Sequence, residues 1–135
     1  MSNCLIYLAT PSVATVPSEG TLPLTTIVRR RGQNIQQSSD SILLGAPGYY
    51  HVSVSTTFTA PATGVATHTL RVDGVAVQGA TASTSIATAT TQVASLSFEG
   101  IVRVPCCEAP ETLTVTNDGV DITTSNIAIA VEYLG

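Results

Sequence analysis

Between residues 48 and 60 apolar and polar side chains alternate, with Tyr50, Val52, Val54 and Phe58 on one parity and Tyr49, His51, Ser53, Ser55 and Thr57 on the other. A period of two marks a strand with one buried face, because successive side chains leave a pleated backbone on opposite sides. The spacing predicts a central strand here. After a turn at residues 61–64, segments 65–72 and 75–84 flank Asp73-Gly74, a pair suited to a type I′ hairpin, whose two central residues take positive φ. A long strand follows over residues 92–104, with Leu96, Phe98, Val102 and Val104 directed inward. Gly100 falls on the same parity and suggests a bulge. Pro105, which has no N–H to give a ladder, ends the strand.

Residues 112–117 predict another strand, turned by Asn117-Asp118-Gly119, and residues 126–134 form the last. That last strand is apolar on both faces. Ile127, Ile129, Val131 and Tyr133 lie on one side, and Ala128, Ala130 and Leu134 on the other, interrupted only by Glu132, so a second layer must cover it. Shorter strands are expected over residues 5–9, 22–28 and 42–44, with the polar stretch 32–40 as a connection and the Thr/Ala/Ser tract 81–91 as a strand end and loose loop. No window sustains apolar spacing at i, i+3, i+4 and i+7, so helices are not expected. About ten β-branched runs punctuated by turn residues every 8–12 positions predict an all-β, two-sheet jelly-roll sandwich in a single domain, residues 1–135.

Composition sharpens this picture. Charged residues are 10% of the chain and hydrophobic ones 44%, against about 25% charged in an ordinary soluble domain, and mean hydropathy is +0.34. Net charge is only −4, without a single lysine, which excludes a disordered chain. A surface made chiefly of Thr, Ser and Ala loses little when buried against another copy, so an oligomer is expected. The acidic balance disfavours nucleic acid as a partner. No apolar run approaches the roughly 18 residues of a membrane helix, and the apolar start at residues 4–8 has no basic residue before it, so neither a membrane segment nor a signal peptide is expected.

No catalytic set and no cofactor site emerge. The only histidines are His51 and His68, read as an interface residue and a solvent-facing hairpin residue. Gly-x-Ser-x-Gly and a Gly-rich phosphate loop are both missing. Cys4, Cys106 and Cys107 are read as thiols: an odd count gives no disulfide framework, and the adjacent pair lacks zinc-ligand spacing. A carboxylate beside that pair, Glu108, raises rather than lowers thiol pKa. Asp118 and Asp121 are too few oxygens for calcium and read as turn residues. Arg29, Arg30 and Arg31 form the one basic cluster. They are either a docking patch for an acidic partner or are neutralised by the chain's own carboxylates or by solvent.

The segment Pro47-Gly48-Tyr49-Tyr50-His51-Val52-Ser53-Val54 resembles the Pro-Gly-x-Tyr-x-Phe stretch that opens a central strand in domains of the C1q and tumour-necrosis-factor type. The early N-terminal strand, the Asp73-Gly74 hairpin, the long strand near residue 100 and the apolar final strand fit the same pattern. Residues 73–80, Asp-Gly-Val-Ala-Val-Gln-Gly-Ala, are similar to the Thr/Ala/Val-rich texture of the bacterial and phage versions, found on spore coats and in virions. Asn3-Cys4-Leu5-Ile6-Tyr7 and Arg103-Val104-Pro105-Cys106-Cys107 resemble stretches of small phage proteins. The chain lacks a collagen-like stalk and has fewer Tyr and Phe than animal members.

The resemblance implies a homotrimer in which Tyr49, His51, Ser53, Ser55, Ser95, Ser97, Ala128 and Ala130 face the three-fold axis, small side chains letting three sheets approach closely. It also implies a non-enzymatic virion protein decorating a capsid or other particle surface, with a virion protein as partner. A trimeric receptor- or glycan-binding module presenting residues 81–91 is the alternative. A monomeric immunoglobulin-like sandwich has the strand count but lacks the Cys and Trp spacing of that fold.

Overall fold

A computed structural model describes residues 4–107 and 110–135. Among them are twelve strands and no helix: β1 (Leu5–Thr10), β2 (Ala14–Val16), β3 (Gly20–Thr21), β4 (Thr26–Arg31), β5 (Ile35–Ser38), β6 (Ser41–Leu44), β7 (Gly48–Thr59), β8 (Gly64–Val72), β9 (Val75–Ile86), β10 (Ala94–Val104), β11 (Glu111–Asn117) and β12 (Ile122–Tyr133). They form two antiparallel sheets. The first has the order β10-β7-β12-β1-β4, with β2 on β12; the second has β5-β6-β11-β8-β9, with β3 on β11. Chain neighbours repeatedly lie in different sheets, which is the jelly-roll arrangement.

The core lies between the sheets. Tyr50, Val52, Val54 and Phe58 of β7 are at most 1% exposed, as are Ile6 and Leu8 of β1 and Ile127, Ile129 and Val131 of β12. Ile42, Leu44, Leu70, Leu113 and Val115 meet them from the second sheet. Two tyrosines fasten the turn before β7: the Tyr50 hydroxyl donates to Ala46 O at 2.6 Å, and the Tyr133 hydroxyl donates to Pro47 O at 2.8 Å. Asp73 and Gly74 take φ of +50° and +84°, the geometry of the expected hairpin. The Asp73 carboxylate also accepts from Thr112 N at 2.8 Å, tying that turn to β11.

The structure departs from the sequence reading at several places, among them β12, which begins at Ile122 and not at residue 126. Residues 22–25 are not strand: they carry the chain from β3 in the second sheet to β4 in the first, with Leu22 and Leu24 buried in the crossing. Pro23 cannot donate to a ladder there, and its carbonyl accepts from Thr10 Oγ1 at 2.7 Å. The polar stretch 32–40 contains β5, because Ile35, fully buried, anchors a hairpin with β6. Residues 81–86 are the end of β9 rather than loop, and Gln92 pins the short connection after them through Ala87 N, Thr88 N and Ser85 O.

Gly100 makes no bulge. The β10–β7 register runs unbroken from Ala94–Phe58 to Val104–Gly48. The glycine serves close packing instead: a Cβ there would come within 2.9 Å of Ala80 Cβ, where β9 and β10 close one side of the sandwich.

His68 is not solvent-facing. It shares the inward parity of Ala66 and Leu70, is 0% exposed, and stacks at a tilt on Phe58 with centroids 5.2 Å apart. Its Nδ1 lies 3.2 Å from Thr56 Oγ1, and its Nε2 has no hydrogen-bond partner. Burial pushes its pKa down to about 4, only partly opposed by the Asp118 carboxylate.

Two predictions follow from this packing. Gly100→Val should destabilise the fold by about 1–3 kcal/mol, since β9 must move to admit the side chain; a thermal melt matching wild type would contradict the close approach. For His68, the unfolded chain takes up a proton near pH 6.5 and the folded chain only near pH 4. Between those values the unfolded state binds more protons, so stability is complete above pH 6.5 and falls as pH drops toward 4, by roughly 3 kcal/mol. Melts from pH 7.5 to 4 should show this slope, and His68→Phe should flatten it.

Candidate functional site: the outer face and arginine edge of the first sheet

The face of the first sheet turned away from the core is built in rows that cross its strands. Ser97, Ser55, Ala128 and Ala9 occupy one row across β10, β7, β12 and β1. Glu99, Ser53, Ala130, Tyr7 and Arg29 form the next, extending onto β4. Ile101, His51, Glu132, Leu5 and Arg31 form the third. Ser95, Thr57 and Asn126 lie beyond the first row, and Tyr49 and Arg103 beyond the third. All eight residues expected to line an axis therefore share one continuous face. Small, uncharged side chains (Ser53, Ser55, Ser97, Ala128 and Ala130) form one contiguous patch on it, and His51 and Glu132 lie in the next row on the same inner strands.

Two features give the face relief. A hollow of about 260 Å³ is lined by Leu5, Tyr7, His51, Ser53, Ala130 and Glu132. Beside it, His51 Nε2 lies 3.0 Å from Glu99 Oε2, diagonally between β7 and β10. Where β9 and β10 meet, a groove of about 420 Å³ is bordered by Val75, Val77, Ile101, Arg103 and Glu111. Val75 and Ile101 are 71% and 53% exposed, so this rim is apolar.

Arg29, Arg30 and Arg31 lie on β4, the outermost strand of the sheet, whose six residues are all exposed. Among the described residues no carboxylate comes within ion-pair distance of them; the ion pairs there are His51–Glu99 and Arg71–Asp118. Arg29 Nη1 donates to the carbonyl of its neighbour Val28 at 2.9 Å.

The acidic turn of residues 117–121 is used structurally. Asp118 binds Arg71 Nη2 at 3.3 Å and accepts from Thr116 Oγ1, whereas Asp121 accepts from Ser18 N at 2.7 Å. Burial works to raise the Asp118 carboxyl, but hydrogen bonds from Thr69, Thr116 and Arg71 outweigh it and hold it below the ordinary carboxylate value. Among the described residues no group of three or more His, Cys, Asp or Glu is placed to hold a metal, and no helix is long and apolar enough to cross a membrane. Asn3 and Glu108, invoked in the sequence reading, lie outside the described residues.

Solved structures supply the comparison. The Eiger TNF of S. frugiperda superposes with a TM-score of 0.70 at 11% identity, over 98% of this chain and 92% of that one. The globular domain of zebrafish complement 1qA gives 0.61 at 7%, over 98% of both chains. The chain has the C1q/TNF-like jelly-roll fold. The PRD1 vertex protein P5 carries it too, with a TM-score of 0.58 at 16% identity over 98% of this chain and 97% of that one. No protein-family model and no curated protein sequence matches the chain.

The sequence pattern located the outer face, Glu132 included, but missed Tyr7 and Glu99 as parts of it. Their parity was readable. What brought them beside Ser53 and Ala130 was the pairing of β1 with β12 and of β10 with β7, which no local pattern encodes.

Proposed function

We propose that this chain is a single-domain, non-enzymatic structural protein of a bacteriophage virion, a homotrimer that decorates the capsid or another particle surface. The observation that carries the reading is the patch of small, uncharged residues on the outer face, on a fold that matches a vertex protein along almost the whole of both chains. Ser53, Ser55, Ser95, Ser97, Ala128 and Ala130 are small enough to let other sheets approach closely. Tyr49 and His51 border this patch and extend the contact.

The arginine edge gives the trimer its second contact. Arg29, Arg30 and Arg31 present planar, permanently charged forks suited to bidentate bonding with carboxylates. Repeated around a three-fold axis, three such edges bind an acidic particle surface with avidity. Binding only the assembled shell stabilises it by mass action. Receptor or glycan binding draws less support, because residues 81–86 are strand and Gln92 holds the connection after them.

The trimer is tested by light scattering after size exclusion. Three chains of 13.9 kDa make 41.7 kDa, and that mass should persist at high salt. Ala128→Arg, which places an unpaired charge at the axis, should shift the mass toward one chain; a wild-type monomer would remove the trimer from the reading. Docking is tested on purified particles. Changing Arg29, Arg30 and Arg31 together to Gln should weaken particle binding at least about tenfold while leaving the trimer mass unchanged. Particles whose mass spectra never contain the chain would overturn the virion assignment.

A further inference from the structure

We propose that Cys106 and Cys107 are a reversible redox pair, a vicinal dithiol that closes on itself by exchange with a small-molecule disulfide. Adjacent residues of an extended chain direct their side chains to opposite sides. Here they do not, because the backbone turns immediately after β10 and Pro105, and Cys107 takes a φ of +78°, a conformation that residues other than glycine rarely adopt. The two sulfurs are brought to 3.2 Å from one another. Both residues are exposed, whereas Cys4 is 4% exposed. The turn thus presents two accessible thiols already positioned for one another.

The reaction balances without any group held by the protein. One cysteine thiolate attacks a disulfide of a low-molecular-mass thiol, forming a mixed disulfide and expelling one thiolate. The neighbouring cysteine thiolate attacks the protein-side sulfur of that mixed disulfide, forms the Cys106–Cys107 bond and expels the second. The two cysteine protons pass to the two departing thiolates. The cysteines are oxidised, and the small disulfide is reduced to two thiols. The second step is intramolecular and needs little reorganisation, so the mixed disulfide is short-lived.

The same geometry makes the bond labile. Consecutive Cα atoms are about 3.8 Å apart across a trans peptide, while disulfides usually span about 4.4–6.8 Å. Closure across one peptide bond is therefore strained, and an excess of reduced thiol reopens it. The pair is open in a reducing compartment and closed in an oxidising one, so this turn follows the redox state of its surroundings.

The test uses the full chain in its native state, incubated with oxidised glutathione, quenched with acid and N-ethylmaleimide, and read by intact mass and peptide mapping. The expected result is a loss of two hydrogens located at Cys106–Cys107, with Cys4 unmodified until denaturation and full reversal by reduced glutathione. Cys106→Ser and Cys107→Ser should each instead accumulate a stable glutathione adduct on the remaining thiol. Glutathione adducts persisting on the wild-type pair, or no reaction where the single variants react, would overturn the proposal. Phenylarsine oxide tests the same proximity without substitution: one arsenic should bridge the native pair, and failure to bridge would refute it.

Discussion

Strand β7 cannot slip by one residue. A shift would carry Tyr50, Val52, Val54 and Phe58 from the core to the outer face and drive His51, Ser53, Ser55 and Thr57 into the space between the sheets. Burying those four hydrophobic side chains favours the observed register by about 1.5–3 kcal/mol each. Because β7 lies between β10 and β12, it imposes that register on both: Ser55 fixes Ser97 and Ala128, and Ser53 fixes Glu99 and Ala130. The outer face is thus assembled by the core. No residue on it need contribute to folding, which leaves its chemistry open to selection for contact.

The second sheet reaches the same end with less regular means. Its inward residues include His68, a polar ring kept neutral by burial beside Phe58. The adjacent turn is held by the Asn117 amide, which donates to Val16 O, Pro17 O and Val120 O. These bonds join the β2–β3 connection to the β11–β12 turn, linking segments about a hundred residues apart in sequence. A sandwich with few charges thereby relies on amide and hydroxyl groups where others use ion pairs.

What could be read from the sequence was whatever a local pattern encodes. The alternation in β7, the Asp73-Gly74 hairpin and the two-faced apolar character of β12 gave the fold class and the central strands, and parity alone placed Ser53, Ser55, Ala128 and Ala130 on the outer face. The misreadings occur where tertiary contacts outweigh local preference. Ile35 makes a strand of a polar stretch because a core position awaits it, and Leu22 and Leu24 look like strand residues although they plug a crossing between sheets. His68 carried the parity of Leu70, but its polarity argued for solvent. Gly100 looked like an irregularity within its own strand, and its cause was Ala80 on another. That the arginines lie on an outermost strand required knowing the sheet order.

That edge has a further consequence for how many copies can coexist. An outermost strand with six exposed residues presents unpaired backbone groups to any similar strand, and repeated edge-to-edge joining produces filaments. Pairing two copies of β4 would set guanidinium groups against guanidinium groups, a like-charge contact that destabilises a ladder. Three of the chain's five basic residues are concentrated on this strand. In a protein so poor in charge, the arginines of β4 thus oppose edge-to-edge joining of copies through this strand.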